Sequence, residues 1–251
     1  MLFPPPLTRR HALFLDFDGT LADLAPQPDA VRLAPGLAQD LRTLHHVLGG
    51  ALAIVTGRTL ADMDRFLGTL DLPLACEHGA QLRLSTADGP AVPTLPLSAL
   101  LHTLDGLAAR HPGVLVERKS AGVALHYRQA PHLQQLCHDT MAQAVAELPG
   151  AELLAGKCVY EIKPAGAGKG RAIARLMQQP PFAGRVPLFV GDDVTDEDGF
   201  AAVQALGGTG LKVGAGETAA RTRIPSPAAV RDWLHGAAQA LVAPDACEAT
   251  P

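Results

Sequence analysis

Short apolar runs alternate along this chain with stretches whose apolar residues recur every three or four positions. That alternation is what an α/β protein with a parallel sheet produces. Residues 12–16, 51–56, 74–76 and 188–191 read as strands. Each is a short apolar run without polar alternation, as expected where helices cover both faces. Residues 35–48 read as a helix, with Leu37, Leu41, Leu44 and Leu48 on one stripe. Residues 59–70 and 170–179 read as further helices. Near the end, Ser226 is placed to cap a helix that opens on Pro227 and runs to about residue 242. The tail from 243 is expected to be disordered.

The middle has a different rhythm. A helix is predicted over 97–109, strands over 114–117 and 123–127, a helix near 132–147, and strands over 151–154 and 158–163. This αββαββ order suits a small antiparallel sheet with helices on one face. Pro90, Pro93 and Pro96 mark the way in, and the run from Pro164 to Gly168 marks the way out. The expected architecture is therefore a Rossmann-like parallel-sheet core, helices on both faces, interrupted by an inserted α+β domain. The core would occupy 1–96 and 164–251, and the insertion 97–163.

Composition narrows the function. With 47% hydrophobic and 18% charged residues in 251, the chain can build a substantial core. Its net charge of -4 argues against nucleic acid as a partner. An anionic substrate would need local cations or a metal. The four cysteines form no C-x-x-C pair and read as reduced thiols. No run approaches the length of a membrane span, and the first ten residues lack a signal-peptide core. A cytoplasmic protein is expected, either a monomer or a weak homodimer.

Four elements carry candidate chemistry, and each follows an apolar strand or opens a helix, where ligand sites of open α/β sheets lie. The first is Asp16-Phe17-Asp18-Gly19-Thr20. Residues two apart on a strand share a face, with Cα atoms roughly 6.6 Å apart. Carboxylates about 4 Å apart repel by roughly 4 kcal/mol at an effective dielectric of about 20. A divalent cation and a nucleophilic carboxylate would explain such a pair: Asp16 as nucleophile, Asp18 as general acid and then base. The second is Thr56-Gly57-Arg58, a hydroxyl and a glycine before a helix, suited to seating an oxyanion; it is equally ordinary turn chemistry.

The third element is Lys169, in Gly166-Ala167-Gly168-Lys169-Gly170. It would neutralise phosphate and the attacking carboxylate, although taken alone it reads as a solvated lysine. A P-loop is excluded, since Lys163 and Gly170 stand where glycine and Ser/Thr are needed. The fourth is the acidic run Gly191-Asp192-Asp193-Val194-Thr195-Asp196-Glu197-Asp198. Its spacing does not fit an EF-hand loop. Asp192 would join Asp16 and the Asp18 main-chain carbonyl around Mg²⁺, with Asp193 and Asp196 supporting them. The competing reading has these acids favouring the positive end of a following helix.

In this order the four elements resemble the haloacid dehalogenase superfamily of phosphotransferases. Glu77-His78-Gly79, Leu125-His126-Tyr127-Arg128, Tyr160-Glu161-Ile162-Lys163-Pro164 and the run from Gly191 to Phe200 are similar to trehalose-6-phosphate phosphatases. That resemblance implies Mg²⁺-dependent hydrolysis of trehalose 6-phosphate, a small-molecule sugar phosphate, under an inserted cap. It also implies that Glu117, Lys119 and Glu161 of the cap bind the sugar, and that His78 and Gly79, with Gly57 and Arg58, wall the site. Without it, Glu117, Lys119 and Glu161 read as a solvated cross-strand ion pair worth about 0–1 kcal/mol. One of His126 and Tyr127 is expected to be merely packed. Three other readings stay open at this point: a phosphatase for sucrose 6-phosphate or a mannosylglycerate ester, a retaining glycosidase built on the aspartate pair, and a non-catalytic sugar-phosphate sensor.

Overall fold

A computed structural model describes residues 4–25, 30–68, 70–84 and 95–243. The first stretch of chain runs β1 (His11–Leu15), α1 (Leu37–Val47), β2 (Leu52–Val55), α2 (Leu60–Leu67), β3 (Leu74–Cys76) and β4 (Gln81–Arg83). After the insertion come α5 (Lys169–Leu176), β9 (Val186–Gly191), α6 (Glu197–Ala205), β10 (Thr209–Val213), β11 (Thr222–Ile224) and α7 (Pro227–Val242). These strands form one sheet in the order β11-β10-β9-β1-β2-β3-β4. All neighbours are parallel except β3 and β4. The strands read from apolar runs are almost wholly buried, as two covered faces require. Helix α1 packs on α7 and α5 on α6, the layers on the two sides of the sheet.

Between these halves lie α3 (Ser98–Arg110), β5 (Leu115–Arg118), β6 (Val123–His126), α4 (Gln134–Ala146), β7 (Ala151–Gly156) and β8 (Val159–Pro164). The αββαββ order is the one expected. Its four strands make a separate antiparallel sheet, β5-β6-β8-β7. Alternation along these strands divides the residues cleanly. Val123, Leu125, Tyr160 and Ile162 turn to a second hydrophobic cluster that includes Leu104 of α3 and Cys137 and Met141 of α4. The opposite face carries Glu117, Ala124, His126 and Glu161, set side by side by the register Glu117↔Ala124↔Glu161. Tyr127 stacks on Tyr160 with ring centroids 5.2 Å apart, so it is the packed member of the His126–Tyr127 pair.

The strand order reverses at β1, since β2 and β3 extend the sheet to one side while β9, β10 and β11 extend it to the other. The carboxyl ends beside that reversal are where a ligand crevice opens. Asp16, Thr56 and Asp192 follow β1, β2 and β9 there. Strands β4, β10 and β11 were not read from the sequence pattern, and α6 entered only as the helix following the acidic run. The tail beyond 243 and most of the proline-rich approach at 90–96 lie outside the described residues. Cys76, Cys137 and Cys158 are free thiols. No described helix is long and apolar enough to cross a membrane.

Candidate active site

The carboxyl edge of the core sheet faces the polar side of the cap sheet across a cavity of about 640 Å³. Both Asp16 and Asp18 border it, yet they do not share one environment. Strand β1 ends at Leu15, and Asp18 already belongs to the turn that bridges back to Ala22. The same-face strand geometry expected of the pair therefore gives way to separate partners. Asp16 is buried, and its Oδ1 accepts from Lys169 Nζ at 2.6 Å. The Asp18 carboxylate is gripped by Arg58, Nε to Oδ2 at 2.6 Å and Nη2 to Oδ1 at 2.7 Å. Arg58 in turn lies over the Phe66 ring at 4.7 Å. The repulsion that the sequence implied is met here by two protein cations.

Lys169 is the first residue of α5, and only 3% of it is exposed, contrary to its reading as a solvated lysine. Its ammonium donates to Asp16 Oδ1 and to Asp196 Oδ1, both at 2.6 Å. Burial works against the charge, but the two carboxylates outweigh it and hold the group above the ordinary lysine range. For Asp16, burial dominates and pushes the carboxyl well up, opposed by Lys169 and reinforced by Asp196 and Asp192.

The loop after β9 is organised by Asp196. Its Oδ2 accepts from the main-chain N–H of Asp192 and of Asp193, each at 2.9 Å, and the Asp193 and Asp196 side chains form a reciprocal capping box. This fixes Asp192 beside Asp16: one carboxylate oxygen from each of Asp16, Asp192 and Asp196 falls within 4.8 Å of the others. Asp196 already accepts three hydrogen bonds, whereas Asp192 Oδ1 is buried without a partner. Burial, with Asp196 and Asp193 nearby, pushes the Asp192 carboxyl up to about 7. Lys212 of β10, which the sequence pattern did not single out, donates to the Asp192 main-chain carbonyl from a buried position. Gly19 is required: its φ is 72°, and a Cβ there would stand 2.2 Å from Asp192 Oδ2.

Thr56 is buried, and its hydroxyl accepts from Arg58 N at 3.2 Å, which draws the loop tight before α2. Gly57 leaves room for the His78 ring, which would lie 2.7 Å from a Cβ. Its carbonyl accepts from Lys119 Nζ of the cap at 2.9 Å. Lys119 also meets Glu161 Oε2 at 2.5 Å, and His78 Nε2 lies 3.4 Å from the same oxygen. Lys119 and Glu161 thus pair as a cross-strand ion pair would, but in a buried seam, with side chains 5% and 7% exposed. Burial alone would raise the Glu161 carboxyl; Lys119 and His78 overcome it and hold the group at about 2. Its other oxygen, Oε1, is buried with no hydrogen-bond partner. Glu117 Oε2 accepts from the His126 ring at Nε2, 2.7 Å apart, and both face the cavity. Gly79, behind His78, packs against α5, where a Cβ would lie 2.6 Å from the Ala172 Cβ. Glu77, a contact residue between core and cap, was missed as a functional position; only the run Glu77-His78-Gly79 signalled it.

The family model described as trehalose-phosphatase matches residues 14–227. The chain is 41% identical over 243 residues to a trehalose-6-phosphate phosphatase of Escherichia coli, covering 94% of this chain and 90% of that one. It is 44% identical over 226 residues to a protein of Sinorhizobium fredii named a probable trehalose-phosphate phosphatase, covering 88% and 84%. Among solved structures, the C-terminal domain of a C. albicans trehalose-6-phosphate phosphatase shares the fold, with a TM-score of 0.80, 23% identity and 92% of each chain covered.

Proposed function

The chain belongs to the trehalose-phosphatase family, and we propose that it hydrolyses trehalose 6-phosphate to trehalose and inorganic phosphate, with Mg²⁺ and through an aspartyl phosphate. One observation carries the reading. A buried carboxylate held by a lysine, a second carboxylate with an orphaned oxygen, and a cap carboxylate with another orphaned oxygen border one cavity. A glycosidase built on Asp16 and Asp18 leaves Lys169 and the Asp192 loop without a task.

The residues fit Mg²⁺. One carboxylate oxygen of each of Asp16, Asp192 and Asp196, all hard donors, lies within 4.8 Å of the others, and Asp192 Oδ1 lacks a protein partner. Asp16, Asp192 and the Asp18 main-chain carbonyl would hold the ion, with Asp193 and Asp196 orienting the loop. When bound, it supplies positive charge to the phosphoryl oxygens.

In this mechanism a carboxylate oxygen of Asp16 forms a bond to phosphorus, and the bond from phosphorus to the sugar oxygen breaks. Asp18, once it leaves the grip of Arg58 and takes up a proton from solvent, delivers that proton to the departing oxygen. Water then attacks phosphorus, Asp18 takes the proton, and Asp16 is released with inorganic phosphate. Lys169 stays charged throughout, and Thr56 and the N–H groups of its loop offer hydrogen bonds to the phosphoryl oxygens. Glu117, Lys119 and Glu161 would meet sugar hydroxyls. Phosphate release from trehalose 6-phosphate, compared with glucose 6-phosphate, sucrose 6-phosphate and mannosylglycerate phosphate, tests the reading. Trehalose 6-phosphate is expected to react fastest, and EDTA to stop the reaction. Equal rates across the four esters would overturn the substrate assignment.

A further inference from the structure

Glu77 follows β3 on the core, with φ of 49°, a left-handed conformation unusual for a glutamate. Its main chain is stitched to the phosphate-side loop: Glu77 N donates to Arg58 O and His78 N to Thr56 O, both at 2.9 Å. Its side chain points the other way, into the cap. Oε1 accepts from Ser120 N at 3.0 Å and from the Ser120 hydroxyl, and Oε2 accepts from Ala121 N at 2.8 Å. Gln81 Nε2 donates to the same Ser120 hydroxyl. Ser120 and Ala121 form the tip of the hairpin between β5 and β6, closed by Lys119 N donating to Gly122 O at 3.1 Å. Only 2% of Glu77 is exposed. A carboxylate so buried is matched by two main-chain donors and a hydroxyl, all from the cap.

We propose that Glu77 is a positioning residue that latches the cap onto the core. Docking Ser120 and Ala121 on its carboxylate brings the adjacent Lys119 ammonium to Gly57 O and its cap partner Glu161 to His78, so that closure and assembly of the sugar-facing seam are one event. With the cap open, water replaces all three donors and the carboxylate loses nothing it cannot recover, which lets the contact break and re-form with each turnover. Asp16, Lys169 and Asp192 lie on the core side and do not depend on this contact. The latch deepens the proposed function and rests on it for its substrate readout.

The test is the ratio of kcat/KM for trehalose 6-phosphate to kcat/KM for p-nitrophenyl phosphate, an ester too small to span the cap. Glu77→Gln should lower that ratio about tenfold or more, mainly through KM, with p-nitrophenyl phosphate turnover kept. Ser120→Ala, which deletes one of the three donors, should lower it less. The double variant should lose no more than Glu77→Gln alone, as coupled partners do. Small-angle scattering of Glu77→Gln should show a larger radius of gyration than the parent, a readout that needs no sugar substrate. An unchanged ratio in both variants with an unchanged radius would overturn the latch. Should Glu77→Gln fail to fold, Ser120→Ala decides: a lowered ratio supports the latch, an unchanged one removes it. A parent enzyme that ignores trehalose 6-phosphate would instead remove the substrate assignment, and scattering would still judge the latch.

Discussion

At the scale of residues, the chemistry turns on how one edge of the sheet tolerates several acids. Lys169 balances Asp16 and Asp196, and Arg58 balances Asp18. Asp16→Asn should lower kcat about a thousandfold or more, measured as phosphate release, because an amide is no nucleophile here. Lys169→Met leaves two buried carboxylates facing no ammonium. It should cost about 3–5 kcal/mol near neutral pH by urea unfolding, with part of the loss recovered in acid as the raised carboxyl of Asp16 takes its proton. Asp192 sets a pH dependence of its own. Its carboxyl titrates at about 7 in the folded chain against 3.8 for an ordinary aspartate. The folded state therefore holds a proton that the unfolded state has lost, so this contribution to stability falls as pH rises from about 4 to about 7 and is level above. Mg²⁺ must displace the same proton, so its affinity should rise across that window; calorimetry at about pH 5.5 and about pH 8 checks it. Asp16 and Asp192 were legible because carboxylates placed directly after buried apolar strands are costly to keep there without a cation to hold them. Burial of Lys169 and the grip of Arg58 on Asp18 were not, since partners 153 and 40 positions apart leave no local trace.

At the scale of elements, periodicity succeeded where both faces of a strand or one stripe of a helix are apolar. The stripe of Leu37, Leu41 and Leu44 is buried in α1, and Ser226 caps α7 through its hydroxyl, which accepts from Ala229 N at 3.2 Å. Ser226→Ala should cost about 1 kcal/mol, a fall of about 2–4 °C in Tm, with kcat and KM unchanged because α7 lies away from the cavity. Calorimetry and steady-state kinetics on the same sample would test both halves. Strands β10 and β11 escaped the pattern. The first carries Gly210 and Lys212 in five residues, and Lys212 is buried because it meets the Asp192 carbonyl, which no propensity encodes. Strand β4 is three residues long and lies at the sheet edge, too short to show alternation.

At the scale of the whole molecule, two hydrophobic clusters, one on both faces of the core sheet and one under the cap sheet, hold core and cap. The polar groups between them make the site. Mg²⁺ at about a hundred times its Kd should stabilise the folded chain by about 2.7 kcal/mol, seen as a rise in Tm that EDTA reverses; no shift would count against the Asp16 and Asp192 site. The sequence by itself determined the parallel-sheet core, the αββαββ insertion and the strand-end acids, because these follow from periodicities of two and 3.6 residues and from local turn chemistry. Only the tertiary structure decided which charge meets which. It put Arg58 on Asp18, buried Lys169 between two aspartates, left one oxygen of Asp192 and one of Glu161 without partners, and set Glu77 against the cap hairpin. Those pairings depend on strand order and on how two sheets face each other. Both are set by burial summed over the whole chain, so no single stretch of residues records them.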